Sequence, residues 1–214
     1  MSVLHHNGLI STRSPCALIL PTLLALLHMM PVQAEMEPAS GRMLIASRDL
    51  VDPNFSETVI LLVEHDESGS MGVVINRPTS VPVQEALPQF ETLGEYDGRL
   101  FFGGPVEVGS LVILFRSSDT PVGAKRVLED IHISSHAKIL EDLSDQGLDK
   151  SHLRLFAGYA GWHAGQLDME IASGGWHVMT GDAGFVFDEQ PAELWRKLVP
   201  PPQPILALAI VTTP

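Results

Sequence analysis

The chain has 214 residues, of which 45% are apolar and 18% are charged, which is enough for one buried core. Its formal net charge is −13 at pH 7. An acidic surface repels phosphate backbones and the sequence has no basic stripe to offset this repulsion, so we expect no nucleic-acid partner.

Residues 1–34 have the three-part layout of a secretory signal peptide. A polar segment precedes an apolar run over Cys16–Leu27, and Val32 and Ala34 place small side chains before a cleavage site at Glu35. The run is shorter than the roughly 20 apolar residues of a spanning helix, so we expect no stable membrane span. We predict a periplasmic or secreted protein. One alternative is an uncleaved anchor, and another is a misassigned start codon and a cytoplasmic protein.

The remainder is predicted to form one domain over residues 35–199, followed by a C-terminal tail over residues 200–214. Apolar runs rich in β-branched residues and leucine predict its strands. Thr58–His65 is apolar in series, which is typical of a strand covered on both faces, and with Met71–Asn76 it forms a predicted hairpin. The other predicted strands are Arg42–Ser47, Leu100–Phe102, Leu111–Arg116, Val127–Ile133, His152–Ala157, Trp176–Met179 and Gly184–Phe187.

Short amphipathic segments predict helices between these strands. In the segment that ends at Leu143, a serine caps the start, and Ile139 and Leu140 lie opposite Glu141. The other predicted helices are Val81–Leu87, Ala164–Ala172 and Ala192–Leu198. Strands and helices alternate irregularly, which favours a single α+β domain with a mixed sheet over a regular βαβ array.

Three segments rich in glycine or proline each follow an apolar run: Ile75–Pro78, Phe102–Val106 and Gly158–Trp162. Strand ends present backbone to ligands, and glycine allows a close approach. We therefore expect the three segments to share one concave face that binds a small molecule or a protein partner. The predicted ligand-binding residues are Asn76, Arg77, Gly103, Gly104, Pro105, Tyr159, Gly161, Trp162 and His163.

Each segment also has a structural interpretation. Gly103-Gly104 is either an anion-binding nest of backbone N–H groups or a tight turn. Arg77 either clamps an anion or forms an ion pair with Glu64 across the hairpin, and we favour the ion pair. Tyr159 and Trp162 either offer flat contact area to a ligand or fill the core.

Five motifs occur in order along the domain. They are Asp52–Phe55, Glu64-His65, Gly72–Pro78, Phe102–Val106, and Gly158–Trp162 with Gly165–Leu167. This order resembles the signature of the YqgE/AlgH family of bacterial proteins. The resemblance implies a mixed, bifurcated, partly barrel-like β-sheet flanked by helices. The resemblance implies no established biochemical activity. The family name comes from an association with the regulation of alginate production.

We expect a non-enzymatic binding or regulatory domain, because the glycine segments come without a nucleophile–base pair. One alternative is a hydrolase or transferase with His65 or His163 as base, Arg77 as electrostatic clamp and Gly103-Gly104 as an oxyanion site. Another alternative, suggested by the family name, is a transcriptional regulator, which the net charge of −13 disfavours. The histidine spacings do not match a metal site, so we expect no metal and no cofactor.

Overall fold

The computed structural model describes residues 36–143 and 149–202, and within them the fold is one ten-stranded β-sheet with short helices. The predicted leader and the tail from residue 203 onward lie outside the described residues. The strands are β1 (Arg42–Ala46), β2 (Val59–Asp66), β3 (Gly69–Val74), β4 (Pro78–Pro82), β5 (Arg99–Phe102), β6 (Val106–Arg116), β7 (Lys125–Leu128), β8 (Ile131–Ser134), β9 (Leu153–His163) and β10 (Trp176–Thr180). The α-helices are α1 (Val83–Ala86), α2 (Ile139–Leu143), α3 (Gln166–Ala172), α4 (Ala183–Val186) and α5 (Leu194–Leu198).

Strand β9 is the branch point of the sheet. Along one edge it pairs antiparallel with β6. The opposite edge is divided between two strands: β5 runs parallel beside Phe156 and Ala157, and β3 runs antiparallel beside Ala160–His163. The sheet therefore splits in two at Gly158, as the expected bifurcated architecture requires.

The main sheet has the strand order β10-β1-β2-β3-β9-β6-β8-β7, and it curls until β7 approaches the start of β1. A Cβ at Gly41 would lie 2.6 Å from the Val127 carbonyl oxygen, and one at Gly181 would lie 2.0 Å from the Gly41 carbonyl oxygen. The ion pair between Lys125 Nζ and Glu64 Oε1, at 2.9 Å, also joins β7 to β2. The expected α+β class with a partly barrel-like sheet is confirmed.

Both faces of the central strands are buried, which explains their apolar runs. Successive side chains of a strand point to opposite faces. Val112 and Leu114 of β6 enter the larger core with β1, β2 and β3, whereas Ile113 and Phe115 enter a smaller core with α2. On β9 the same alternation places Leu153 and Leu155 in the smaller core and Phe156 in the larger one. Arg154 lies between them on the face of Phe156.

Four parts of the predicted secondary structure were wrong. Val127–Ile133 was predicted as one strand, but it spans β7 and β8, which pair with each other across a turn. Gly158–Trp162 was predicted to follow a strand, but it lies inside β9, whose pairing simply passes from β5 to β3. Gly184–Phe187 was predicted as a strand, but Ala183–Val186 is helical because Asp182 caps it by accepting a bond from the Gly184 N–H at 2.7 Å. Strand β4 was not predicted, since its sequence begins and ends with proline.

The split in the sheet depends on contact between two glycine segments. A Cβ at Gly103 would lie 2.2 Å from the Gly158 carbonyl oxygen, and one at Gly104 would lie 2.1 Å from the Tyr159 carbonyl carbon. Gly158 and Gly104 both have positive φ, at +70° and +150°. Only glycine therefore lets the connection between β5 and β6 pass so close to β9.

A second anchor fixes α3 against the sheet. Glu170 Oε2 accepts hydrogen bonds from the indole N–H groups of Trp162, at 3.0 Å, and Trp176, at 2.9 Å. Its other oxygen accepts a bond from Gln166 Nε2 at 2.9 Å. Phe55 stacks on Trp162 and meets Trp176 edge-on. One carboxylate thus joins β9, β10 and α3.

We predict that Gly103→Ala lowers the free energy of unfolding by about 1–3 kcal/mol, because the new methyl group overlaps backbone that must move. Urea denaturation measures the change. The matched control is Gly109→Ala, because a Cβ there meets nothing within 4 Å, and its effect should stay within about 0.5 kcal/mol. Equal midpoints for the two variants would contradict the close crossing.

We predict that Glu170→Ala costs about 1–3 kcal/mol for each indole N–H that loses its acceptor. Glu170→Gln, which keeps one carbonyl oxygen, should cost less. Thermal unfolding followed by tryptophan fluorescence measures both. Met169→Ala on the same helix is the control, since Met169 is 68% exposed and its loss should change little. If Glu170→Ala were as stable as this control, the two indole bonds would contribute nothing.

Candidate functional site

Asn76 and Arg77 hold the loop before β2. The buried Asn76 amide accepts a bond from the Val59 N–H at 2.8 Å and donates one to the Glu57 carbonyl at 2.9 Å. Arg77 donates to the carbonyls of Asn54, at 2.6 Å, and Ser56, at 2.8 Å. Burial lowers the pKa of Arg77. All of these contacts fix the polypeptide backbone.

The favoured ion pair between Arg77 and Glu64 is wrong. Glu64 pairs with Lys125 instead, while both terminal nitrogens of Arg77 bind carbonyl groups. Both residues follow apolar strand positions, but the sequence did not show that β2 and β7 approach each other.

Gly103 already uses both of its backbone groups. Its N–H donates to the Ala157 carbonyl at 2.9 Å, and its carbonyl accepts from the Val74 N–H at 2.9 Å. Gly103 and Gly104 are buried against β9, and Pro105 beside them is exposed. This geometry supports the tight-turn interpretation, because an anion would have to compete with Ala157 for the Gly103 N–H.

The remaining predicted site residues are spread along β9. Tyr159 is half-buried beside Gly161, at which a Cβ would lie 3.4 Å from the Tyr159 ring. Trp162 is 6% exposed and bound to Glu170. His163 is exposed, and its N–H donates to Gln166 Oε1 at 3.1 Å.

The structure brings the first two glycine or proline segments together and spreads the third. Gly103 meets Gly158 at the split of the sheet, and the Phe102 N–H donates to the Arg77 carbonyl at 2.9 Å, which joins the first segment to the second. Trp162 and His163 lie toward the other end of β3, beside Ser70 and Gly69. The three segments therefore do not share a single concave face.

The hydrolase alternative needs a histidine beside the Gly103 backbone. His65 Nδ1 lies 2.8 Å from Ser70 Oγ, and Ser70 is four residues along β3 from Val74, which binds Gly103. At about 3.3 Å per residue, that separation is roughly 13 Å. His163 pairs with Gly69, one residue further away. Neither histidine reaches the predicted oxyanion site.

A cleft of about 740 Å³ opens elsewhere, beside β4, β5 and the start of β9. Its walls mix aromatic rings, prolines and charged side chains. Among the lining residues, Tyr96, Phe101 and Arg154 are buried, while Arg99, Lys150 and Glu189 are exposed. The described residues that line the cleft are Pro78, Tyr96, Asp97, Gly98, Arg99, Phe101, Asp149, Lys150, Ser151, Arg154, Phe187, Glu189 and Pro191.

Arg154 is the buried cation of this cleft, with 4% of the residue exposed. Its Nη2 donates to the Asp188 carbonyl, and its Nη1 lies 3.5 Å from the Ile75 carbonyl oxygen. Its Cζ lies 4.8 Å from the ring centre of Phe101 and 5.8 Å from that of Phe187. Burial lowers the pKa of Arg154 to about 10, so the side chain stays charged at pH 7.

No Asp or Glu among residues 36–143 and 149–202 forms an ion pair with Arg154. The Asp188 carboxylate raises the pKa of Arg154 from a distance, but it binds Lys197 Nζ at 3.0 Å. The guanidinium is therefore held by carbonyl groups and rings. A charged group in this setting is unusual, because buried charges are normally paired.

Tyr96 forms the floor of the cleft. It is 2% exposed, and its hydroxyl donates to the Leu153 carbonyl at 2.6 Å. Burial raises the pKa of Tyr96, so the phenol is neutral at pH 7. Its ring lies over Gly98, where a Cβ would come within 2.2 Å of it. A glycine at 98 thus shapes the cleft.

None of the predicted site residues lies in the lining of this cleft, although Pro78 ends the first predicted segment and Phe101 adjoins the second. Arg154 was not among the predicted site residues, because the run His152–Ala157 was predicted only as a strand. The signal was an arginine inside that run, since a charge on a strand buried on both faces needs a specific environment. The side chains of Tyr96 and Phe187 gave no comparable signal.

Across residues 36–143 and 149–202, no three His, Cys, Asp or Glu side chains are grouped so as to hold a metal ion. In the same residues, no helix has the length and apolarity needed to cross a bilayer.

The sequence of this chain is similar to a known family model and to known proteins. The family model described as "DUF179: AlgH-like" matches residues 43–201. A UPF0301 protein of Streptomyces avermitilis is 40% identical over 171 residues, which are 77% of this chain and 87% of that protein. A UPF0301 protein of Chlorobaculum tepidum is 38% identical over 160 residues, which are 74% of this chain and 84% of that protein.

Two solved structures share the fold. A crystal structure of a Corynebacterium diphtheriae protein has a TM-score of 0.66 and 26% identity, and covers 79% of this chain and 91% of its own. The solution structure of the AlgH protein from Pseudomonas aeruginosa has a TM-score of 0.62 and 30% identity, and covers 76% and 89%. The ordered motifs, the bifurcated sheet and the match over most of the described residues together show that this chain belongs to the AlgH-like family.

Proposed function

We propose that this chain is a non-enzymatic binding domain and that it takes a small molecule in the cleft beside Arg154. The observation that carries the proposal is the cleft itself. Its volume of about 740 Å³ falls within the roughly 300–1,000 Å³ of ligand pockets in proteins.

The lining of the cleft supports a ligand with both apolar and polar parts. Phe101, Phe187 and Pro191 offer apolar contact area, and Arg154 offers a fixed polar group. Small-molecule sites combine apolar walls with a few placed polar groups in this way. Gly98 leaves room for the ring of Tyr96, because a larger side chain at 98 would collide with that ring.

The polar groups of the cleft favour binding over catalysis. Tyr96 has a raised pKa and already donates its hydrogen bond to Leu153. Ser151 Oγ bonds Asp149 Oδ1 at 2.6 Å and lies 2.8 Å from His152 Nδ1. However, hydrogen bonds from Ser151 and His152 lower the pKa of Asp149 to about 2, so that carboxylate is a poor proton acceptor at pH 7.

We predict that a ligand found by thermal-shift screening of a metabolite library loses its effect when the cleft is filled. A ligand at 100 times its dissociation constant stabilises the protein by about 2.7 kcal/mol, which raises Tm by several degrees. Glu189→Trp, at an exposed lining position, should abolish this shift. Glu67→Trp, at the exposed turn between β2 and β3, is the control and should retain it. Shifts that survive Glu189→Trp unchanged would place the ligand outside the cleft.

We also propose that the domain acts outside the cytoplasm, because residues 1–34 have the layout of an export signal. Cell fractionation of a C-terminally tagged chain should recover a form that starts at Glu35 outside the cytoplasm. Ala34→Arg should block cleavage and leave the longer precursor. A full-length product in the cytoplasm would overturn the proposal and favour a misassigned start codon.

A further inference from the structure

We infer that the cleft binds a small aromatic monocarboxylate whose carboxylate contacts the guanidinium of Arg154. The inference rests on the proposed function and adds the chemical class of the ligand to it. It starts from Arg154, which among the described lining residues is the charged one that is almost fully buried, with 4% of the residue exposed.

The hydrogen bonds of Arg154 leave donor capacity for a ligand. A guanidinium has five N–H donors, and those of Arg154 meet two carbonyl oxygens, of Asp188 and Ile75, the second at a long 3.5 Å. No carboxylate among the described residues pairs with it, because Asp188 binds Lys197. A carboxylate is the group that matches the planar fork of an arginine, with two parallel N–H···O bonds.

The surroundings hold the guanidinium in place before a ligand arrives. Phe101 and Phe187 both lie within 6 Å of Cζ, and the bond to the Asp188 carbonyl fixes one terminal nitrogen. A desolvated, positioned cation binds an anion more strongly than one at the surface, because water screens it less. Little side-chain entropy remains to be lost on binding.

The charge around the cleft favours a single negative charge on the ligand. Three acidic residues, Asp97, Asp149 and Glu189, are among the described residues that line it. The two exposed cations of the lining are already engaged, Lys150 Nζ with Asp97 at 2.8 Å and Arg99 Nη1 with the Ser80 carbonyl at 2.6 Å. The electrostatic repulsion between these carboxylates and a dianionic phosphate is about twice the repulsion that a monoanion meets at the same distance. The low pKa of Asp149 keeps its carboxylate charged at neutral pH.

The body of the ligand is inferred from the walls. Phe101, Phe187, Pro78 and Pro191 present rings to the cleft. Flat apolar surfaces of this kind contact an aromatic ring through offset or edge-on stacking. A carboxylate joined directly or by one carbon to an aromatic ring satisfies both the cation and the walls.

The test is an NMR titration of the folded chain at pH 7 with benzoate, phenylacetate, their neutral amides and inorganic phosphate. We expect the two carboxylates to bind and to shift resonances of the cleft, and the amides and phosphate to bind at least tenfold more weakly. In Arg154→Met, carboxylate affinity should fall at least tenfold. Arg99→Met removes a charge from the exposed rim of the same cleft and should change affinity less than threefold.

Arg154→Lys keeps the charge and loses the planar fork, so its carboxylate affinity should lie between that of the unmodified chain and that of Arg154→Met. It also decides the matter if Arg154→Met does not fold. A loss in Arg99→Met as large as in the Arg154 variants would overturn the inference.

The probes separate this inference from the proposed function. Amides that bind as well as the carboxylates, and are blocked by Glu189→Trp, would overturn the anion inference and leave a small-molecule cleft intact. Phosphate that binds through Arg154 while the carboxylates do not would also overturn it. Absence of binding by every probe would overturn the aromatic carboxylate, while the library screen with Glu189→Trp tests the cleft independently.

Discussion

The architecture depends on backbone contact between Gly103-Gly104 and Gly158-Tyr159. At this point the chain leaves β5, passes against β9 and enters β6 within a few residues. Neither position of the first pair has room for a Cβ. Because both residues are glycine, the chain can pass close enough for β9 to pair with β5 and β3 in succession along one edge. The two faces of β6 and β9 separate the larger core from the smaller one, and the cleft opens beside the β5 branch. The glycines that were predicted to bind a ligand thus allow close backbone contact within the sheet.

The local elements of the sheet could be predicted because their signals are local. The serial apolar runs of β2 and β9 follow from burial on both faces, and the β2–β3 hairpin follows from its polar turn. Gly158 could not be placed, because its role depends on strands distant in sequence. The helix at Ala183–Val186 was missed because one capping aspartate outweighed the β propensity of Phe185 and Val186. Membership of the family could be predicted, since the order of the motifs is visible in the sequence without knowledge of the structure that each motif adopts.

The site was harder to predict than the fold. The glycine segments were predicted to bind ligands, but the described residues that line the cleft come from four separated regions, near residues 78, 96–101, 149–154 and 187–191. Arg154 was visible as a charge in an apolar strand, yet its meaning needed the positions of Phe101, Phe187 and Asp188. Pairing of charges was equally nonlocal, as Glu64 shows by binding Lys125 of β7. Membership of the family predicts the architecture of the sheet. The ligand has to be inferred from contacts such as these.

The seam between β7 and the Gly41–Gly181 pair has a consequence for the behaviour of the protein in a crowded cell. A long, flat outer strand offers unpaired N–H and C=O groups to other chains and invites aggregation. Here β7 is short and charged, with Lys125 and Arg126, and its pairing with β8 is interrupted by a bulge. Its Val127 carbonyl is covered by glycine backbone. Rolling the sheet onto itself hides a surface on which fibrils could otherwise nucleate.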